Sequence, residues 1–467
     1  MNRVILVEIT SNRKDNFINP NRLEPLGIEY IGAHASERGY TVEVISDTFD
    51  DVEGRINKID FIEVSVVGIS TFTYSYKKGL EIAKRIKRKN KRTIIVFGGV
   101  HASSCPDIIK EDPIDFVIIG EGEERFARLL DSITNQDNPI TIKGIVNKSS
   151  FELNYHKQPI KGKEDIYKDD LFYPLRKKDF IKSSRIFGLM FPNHKDQNGV
   201  AQLVHSRGCK YNCDYCSSSL VFGNKIRYRN VSSVVSEIKH LIKCFDVNLL
   251  YFVDINFNNS KHQVHSLCDS MINEKVDLNW YCLCNIKGLN HDILSHMKKA
   301  GCTKIGVGIE TLNPDNIKKL KKCNITEIRN ALSSADNLGL IIRGFFMLGL
   351  PCEEPKEIED MPKALSEMPI DELRIPFFTP FPGTKSFNML RNRLTTNDFD
   401  NYSTNEPILK NELISKERYL ELRNYIYKSF YTSNSYQKRM KEKINKNPHL
   451  RESYNAFFEE LSTEGII

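Results

Sequence analysis

A chain of 467 residues, 40% hydrophobic and 27% charged, is long enough to bury two or three separate cores and too apolar to remain disordered. No apolar run reaches the roughly 20 residues of a membrane crossing. Met1-Asn2-Arg3 leads into Val4-Ile5-Leu6-Val7, too short a run for a signal peptide, so a cytoplasmic protein is expected. The net charge of +7 is mild and argues against a nucleic-acid partner, while 11 cysteines in such a chain point to metal ligation, redox chemistry or burial rather than disulfides.

The first third alternates strand and helix patterns. Val4–Glu8, Thr41–Ile45, Glu63–Ser70, Thr93–Phe97 and Asp115–Ile119 read as strands, with Ile28–Arg38, Tyr76–Lys89, Ser103–Lys110 and Glu124–Ile133 as helices. Leu80, Ala83 and Ile86 recur at helical spacing inside the basic run Lys84 to Arg92, so its charges are a solvated face. Gly39 sits where a helix C-cap belongs. Such alternation predicts a parallel sheet covered on both faces, with ligands beyond the carboxyl ends of its strands. The loops there are Ser70-Thr71-Phe72-Thr73, Gly98-Gly99-Val100-His101 and Gly120-Glu121-Gly122-Glu123. Paired glycines let a flat ligand approach the backbone, and small hydroxyl residues add hydrogen bonds without bulk; ordinary turn glycine is the alternative reading.

Residues 136–198 carry little periodicity: a short β segment near Ile142–Asn147, then an extended stretch with Gly162, Lys163, Pro192 and Asn193. Beyond it, Leu203-Val204-His205-Ser206-Arg207-Gly208 runs into cysteines spaced C-x3-C-x2-C at Cys209, Cys213 and Cys216. Three thiolates on one short loop can hold three irons of a 4Fe–4S cube and leave the fourth open. Zinc prefers four closed ligands and paired knuckles, and no second knuckle is present. Strand-like segments then recur between helices: Gln202–Ser206, Leu249–Asp254, Asn279–Asn285, Lys304–Glu310, Ile341–Leu348 and Leu373–Phe378. Alternation puts Phe252, Asp254 and Asn256 on one face, Gly306, Gly308 and Glu310 on another, and Arg343, Phe345, Met347 and Gly349 on a third, all read as inward. A buried Glu310 or Arg343 needs a partner, either a bound zwitterion or an ordinary ion pair. Cys282 and Cys284 share a face and either line the cavity or pack as small apolar groups; Cys105, Cys244, Cys268, Cys302, Cys323 and Cys352 lack ligand spacing. Past Pro380-Phe381-Pro382-Gly383-Thr384 the pattern is helical, most clearly over Lys416–Tyr431.

The cysteine motif, with the aromatic Tyr215 before its last cysteine, resembles the radical S-adenosylmethionine (SAM) signature. The three loops, above all Gly98 to Glu124, resemble the cobalamin-binding domain that precedes many radical SAM barrels. The resemblance implies an α/β protein: a doubly wound Rossmann-like cobalamin-binding domain at 1–135, a linker at 136–198, a partial (β/α)6 radical SAM barrel at 199–385 and a helical region at 386–467 that closes the barrel mouth. It implies a 4Fe–4S cluster on Cys209, Cys213 and Cys216, SAM on the open iron, and cobalamin against Ser70, Thr71, Thr73, Gly98, Gly99, His101, Gly120, Glu121 and Gly122. For SAM it implies Tyr215, the strand end bearing Asp254 and Asn256 near the methionine amino group, Glu310 near the ribose, Arg343 for the carboxylate and Gly349 beside the adenine. The best-known cobalamin modules also carry an Asp-x-His-x-x-Gly motif whose histidine ligates cobalt. The stretch Ile9 to Gly27 holds no histidine, so none is expected under the corrin from there, and His101 is expected in a hydrogen-bonding role.

The activity implied is methyl transfer to a poorly reactive carbon of a small molecule or peptide, with a reductant such as flavodoxin or ferredoxin. Cyclisation or rearrangement without methyl transfer is the alternative. A tRNA-modifying methylthiotransferase would need three N-terminal cysteines for another cluster, and residues 1–150 hold only Cys105. A non-catalytic cobalamin or redox sensor would not need a SAM-cleaving motif.

Overall fold

The computed structural model describes residues 3–11, 21–153, 172–320, 323–351, 353–463 and 465–467; Gly162, Lys163 and Cys352 lie outside them. Six strands form the first sheet: β1 (Arg3–Ile9), β2 (Thr41–Ser46), β3 (Val64–Thr71), β4 (Ile94–Gly98), β5 (Phe116–Ile118) and β6 (Ile145–Val146). Their order is β2-β1-β3-β4-β5-β6, parallel throughout except for β6, which runs antiparallel to β5. Strand alternation builds two cores. Val4 and Leu6 face the helices Leu26–Glu37 and Glu123–Asn135 through Ile28, Phe126 and Leu129. Ile5, Val7 and Ile9 face Val52–Lys58 and Tyr76–Lys89 through Ile56, Ala83 and Ile86.

One helix departs from the pattern expected. In place of Ser103–Lys110 the chain forms a helix at Gly99–Ser104 and a separate 3-10 turn at Pro106–Lys110. Cys105 precedes Pro106 and is driven out of the helical region, at φ −131° and ψ 68°, which splits the element. The helix Val52–Lys58 has too short a periodicity to read from sequence; Asp51 caps it by accepting from Gly54 N.

The second sheet contains β7 (Val200–Leu203), β10 (Leu249–Phe252), β11 (Asn279–Cys284), β12 (Cys302–Glu310), β13 (Ile341–Phe346) and β14 (Glu372–Arg374). They pair in that order, all parallel, as a six-stranded partial barrel. Between β7 and β10 lies a small antiparallel hairpin, β8 (Ser206–Arg207) with β9 (Arg227–Tyr228), and the three motif cysteines lie on the loop it subtends.

Of the region 386–467, the helix Lys385–Leu390 with Leu394 and Leu409 packs beside Tyr215 of the cysteine loop, whereas the helices Lys416–Tyr431, Asn434–Lys446 and Leu450–Thr463 do not reach the mouth. They cover the β14 edge and the barrel base. The Tyr431 and Tyr427 hydroxyls accept from Leu373 N and Ile375 N, both at 2.9 Å, satisfying donors that a bare edge strand would expose. Buried Asp371 accepts from Arg439 at 2.5 Å and Lys443 at 2.7 Å. No helix among the described residues is long and apolar enough to cross a membrane.

Candidate active site

The cluster loop starts at Gly208, whose φ of +89° suits glycine; a Cβ there would lie 2.2 Å from Lys225 O. Cys209 is buried while Cys213 and Cys216 are half-buried, so the thiols face a partly open space. Their donor set, three soft thiolates on one loop, fits an iron–sulfur cube with one open iron. The base of the loop is tied down from β10. Buried Asp254 accepts from His205 N at 2.8 Å, Ser206 N at 2.7 Å and Ser206 Oγ at 2.6 Å. Burial pushes its carboxyl up to about 6 even against these hydrogen bonds.

Asp254 therefore faces away from the barrel interior, opposite to the side expected, as does Phe252 in the outer core with Trp280. Asn256 likewise bonds protein, donating to Asn259 Oδ1 at 2.7 Å and accepting from Asn285 N at 2.9 Å. The inward parity on β10 and its extension belongs to Tyr251, Val253 and Ile255. Cys282 and Cys284 sit 3.6 Å apart in the outer core, so they pack rather than line the cavity.

Tyr215, Glu310 and Gly349 come together near the cluster loop. The Tyr215 hydroxyl donates to Glu310 Oε1 at 3.2 Å, and the Tyr215 ring packs on Leu350 and Phe378. Glu310 ends β12 at φ +70°, a left-handed turn that costs energy for a side-chain residue and recurs at binding sites. Gly349 N donates to Glu353 Oε2 at 2.7 Å. Arg343 does not join them. It pairs in register with Gly306, four residues before Glu310 and thus roughly 13 Å towards the barrel base. There its guanidinium is 2.5 Å from Glu372, which also meets Lys304 at 2.6 Å, and it donates to Phe187 O at 3.1 Å. Arg343 is thus half of the ordinary buried ion pair.

Beyond the carboxyl edge of the first sheet lies a cavity of about 400 Å³. Its walls include Ser70, Thr71, Gly98, Gly99, Gly120, Glu121 and Gly122 from the first domain, and Ser206, Arg207, Phe222, Val253 and Ile255 from the barrel mouth. A Cβ at Gly99 would lie 2.8 Å from Ser70 Oγ, and one at Gly122 would lie 2.8 Å from Ile31 Cδ1. Buried Thr71 Oγ1 has no protein hydrogen-bond partner. Glycine-lined, mostly apolar and holding a spare hydroxyl, the cavity fits a flat macrocycle. Thr73 and His101 stand behind its wall: His101 Nδ1 is 3.3 Å from Thr73 Oγ1, and the ring packs on Tyr76 and Phe399. Burial pushes His101 down to about 4, so it is neutral. The Glu121 carboxylate is closed by both Arg227 nitrogens at 2.7 Å, and Glu123 meets Arg207 at 2.6 Å. These pairs bind the cavity loop to the hairpin that carries the cysteines. They span 106 residues in the case of Glu121 and Arg227, and no local pattern announces them.

Glu8 also lines the cavity, and burial, then the Asp47 charge, pushes its carboxyl up to about 8 against the Ser46 hydrogen bond. The folded state thus keeps a proton that the unfolded chain releases near 4.5, so this contribution is lost as pH rises from 4.5 to about 8. Melting curves of ligand-free wild type and Glu8→Gln are expected to diverge over that window, wild type falling relative to the variant. Parallel curves would remove the protonated carboxyl.

Residues 20–130 match the B12 binding domain family and residues 203–365 the radical SAM superfamily. The chain belongs to the radical SAM superfamily, in the group with a cobalamin-binding domain ahead of the barrel, and is an enzyme of that class. Such domains take cobalamin in the first and a 4Fe–4S cluster with SAM in the second. It is similar to an uncharacterized methyltransferase of Pyrococcus horikoshii, 28% identical over 421 residues covering 87% of each chain. It is also 24% identical over 432 residues to the anaerobic magnesium-protoporphyrin IX monomethyl ester cyclase of Rubrivivax gelatinosus, covering 88% of this chain and 74% of that one. Its fold matches that of the radical SAM methyltransferase TsrM of Kitasatospora setae, solved with cobalamin and a [4Fe-4S] cluster. The TM-score is 0.65 at 16% identity, over 85% of this chain and 76% of that one.

Proposed function

We propose that the protein is a cobalamin-dependent radical SAM methyltransferase, acting on a poorly reactive carbon of a small molecule or peptide with electrons from a flavodoxin- or ferredoxin-type reductant. The observation that carries this is the shared cavity, walled on one side by the first domain's glycine loops and on the other by the hairpin and strand ends of the barrel mouth. When bound, the cofactors supply the electron that cleaves SAM to methionine and a 5′-deoxyadenosyl radical, and the methyl group itself. This chain's residues bind, orient and exclude water. Cys209, Cys213 and Cys216 hold the cluster; Tyr215, Glu310 and Gly349 offer the ribose and adenine a hydrogen-bonded, apolar edge. Ser70, Thr71, Gly98, Gly99, Gly120 and Gly122 take the corrin, while Glu121 and Glu123 pin their loop to Arg227 and Arg207.

Turnover is expected to yield both 5′-deoxyadenosine and S-adenosylhomocysteine, measured by chromatography and mass spectrometry. Ring formation or rearrangement is the second reading, favoured by the likeness to the Rubrivivax gelatinosus cyclase. It would give 5′-deoxyadenosine alone and sink methyl transfer.

A further inference from the structure

Two helices of the barrel's outer layer, Lys261–Asn273 after β10 and His291–Lys299 after β11, bring three side chains together. His265 Nε2 lies 3.2 Å from Asp292 Oδ2, and His296 Nδ1 lies 3.7 Å from Asp292 Oδ1. The two imidazole rings stack, with centroids 4.0 Å apart and planes 18° from parallel. One nitrogen of each ring and one carboxylate oxygen fall within 4.8 Å of one another. Helical spacing explains the convergence: Asp292 and His296 stand one turn apart, at i and i+4, and His265 faces them from the neighbouring helix.

The hydrogen bonding of the three is unfinished. His265 Nε2 is shielded from water and, for all its closeness to Asp292, makes no hydrogen bond among the described residues. Two acceptor atoms at 3.2 Å with no proton between them repel, and a cation between them reverses the sign. The distance suits one, since two ligands at about 2.0–2.1 Å from a tetrahedral zinc stand roughly 3.3 Å apart. His296 Nδ1 donates to Asp292 O at 2.9 Å, which orients the ring and leaves the lone pair of the neutral imidazole on Nε2. The Lys261 ammonium, 2.8 Å from Asp292 Oδ2, holds that carboxyl below its usual range and so keeps it ionised. It stands where a metal ion would, but its side chain is more than half exposed and can swing into water.

We propose that His265, Asp292 and His296 form a binding site for a nitrogen-preferring divalent transition metal of the Zn2+ class, with water completing its shell. Two imidazoles and one carboxylate select against Mg2+ and Ca2+, which take oxygen ligands. Binding turns the two rings out of their stack so that both lone pairs point at one ion; both rings are partly exposed, so the turn meets solvent rather than core. The ion clips the two helices together beside the cysteine loop. Asn258, which leads into the first helix, donates to Asn285 O at 2.9 Å and Lys287 O at 3.2 Å, which lead into the second. Lys210 of the cysteine loop donates to Asn259 O at 3.2 Å. The clip thus stiffens the rim on which that loop rests, and it stands whether or not the enzyme transfers methyl groups.

The test titrates zinc chloride into cluster-reconstituted holoprotein, in which the motif thiolates are already taken. Wild type is expected to bind zinc in calorimetry and to melt at a higher temperature with Zn2+ but not with Mg2+. His296→Ala and Asp292→Asn are each expected to weaken that binding by about tenfold or more. Lys261→Met, which removes the competing ammonium, is expected to tighten it severalfold, an outcome that a misfolded variant cannot imitate. Zinc bound equally well by wild type and His296→Ala would overturn the site. So would a rise in melting temperature with Mg2+ equal to that with Zn2+, or binding in Lys261→Met no tighter than in wild type.

Discussion

Cys213→Ala protein, purified and reconstituted without oxygen, is expected to hold no stable 4Fe–4S cluster and to release no 5′-deoxyadenosine from SAM above background. Three thiolates are the smallest set that leaves one iron open, and losing one opens a second iron to water. Among the described residues, the remaining cysteines lie outside this loop. Cys282 and Cys284 are buried in the outer core behind the barrel wall, and burial pushes the Cys282 thiol well up, away from the thiolate that iron needs. Cys105 packs against the core beneath the first sheet. The loop itself should survive, because Gly208 and the Asp254 hydrogen bonds that set its base do not involve Cys213. The melting temperature of the metal-free variant is therefore expected to match metal-free wild type. Cys244→Ala, on an exposed turn of the helix Val231–Phe245, is the control and should keep full iron content. Iron and sulfide analysis with electron paramagnetic resonance reads both proteins; a wild-type cluster signal in Cys213→Ala would displace Cys213 from the ligand set.

The cysteine motif was legible because its chemistry is local: three ligands and a permissive glycine within nine residues need no knowledge of the rest of the chain. The parallel sheets were legible because buried strands repeat every second residue, and Val4/Leu6 against Ile5/Val7 fill separate cores as alternation requires. What failed depended on distant partners. On β10 and its extension, alternation puts polar Asp254 and Asn256 on one parity and so reads that face as inward, yet it is the face that turns away from the interior. The real partners of Asp254 are backbone N–H groups 48 and 49 residues earlier. The Arg343 partner Glu372 lies in the next strand and is matched by register, which sequence does not display. The loop Gly120 to Glu123 was placed correctly at the cavity, yet half of it serves another end, since Glu121 and Glu123 are spent on Arg227 and Arg207. Carboxylates at a ligand edge resemble ligand contacts whether they meet the ligand or hold its wall.

Glu372→Ala is expected to destabilise the protein by about 3–5 kcal/mol, the cost of breaking a buried pair from one side. The substitution strands Lys304 and Arg343 in the barrel base, where Lys304 keeps Leu189 O at 2.8 Å and Arg343 keeps Phe187 O at 3.1 Å, but neither keeps a counter-charge. Lys304 can respond by losing its proton, whereas Arg343 cannot. In wild type the carboxylate holds Lys304 up at about 7 against burial and the Arg343 charge; without it the value falls further. The folded variant therefore binds fewer protons than folded wild type below about pH 7, while the unfolded chains differ only by the Glu372 carboxyl, which titrates near 4.5 and so matters little above about pH 5.5. Its deficit should be largest near pH 5 and narrow as pH rises to about 7, above which Lys304 is mostly neutral in both proteins. Lys304→Met added to Glu372→Ala should recover part of the loss by removing one stranded cation, with Arg343 left as the remainder. Urea unfolding of the three proteins across that pH range measures each term. A deficit independent of pH, or a double variant no more stable than Glu372→Ala, would mean that the barrel base is held by packing and that this charge cluster is incidental to it.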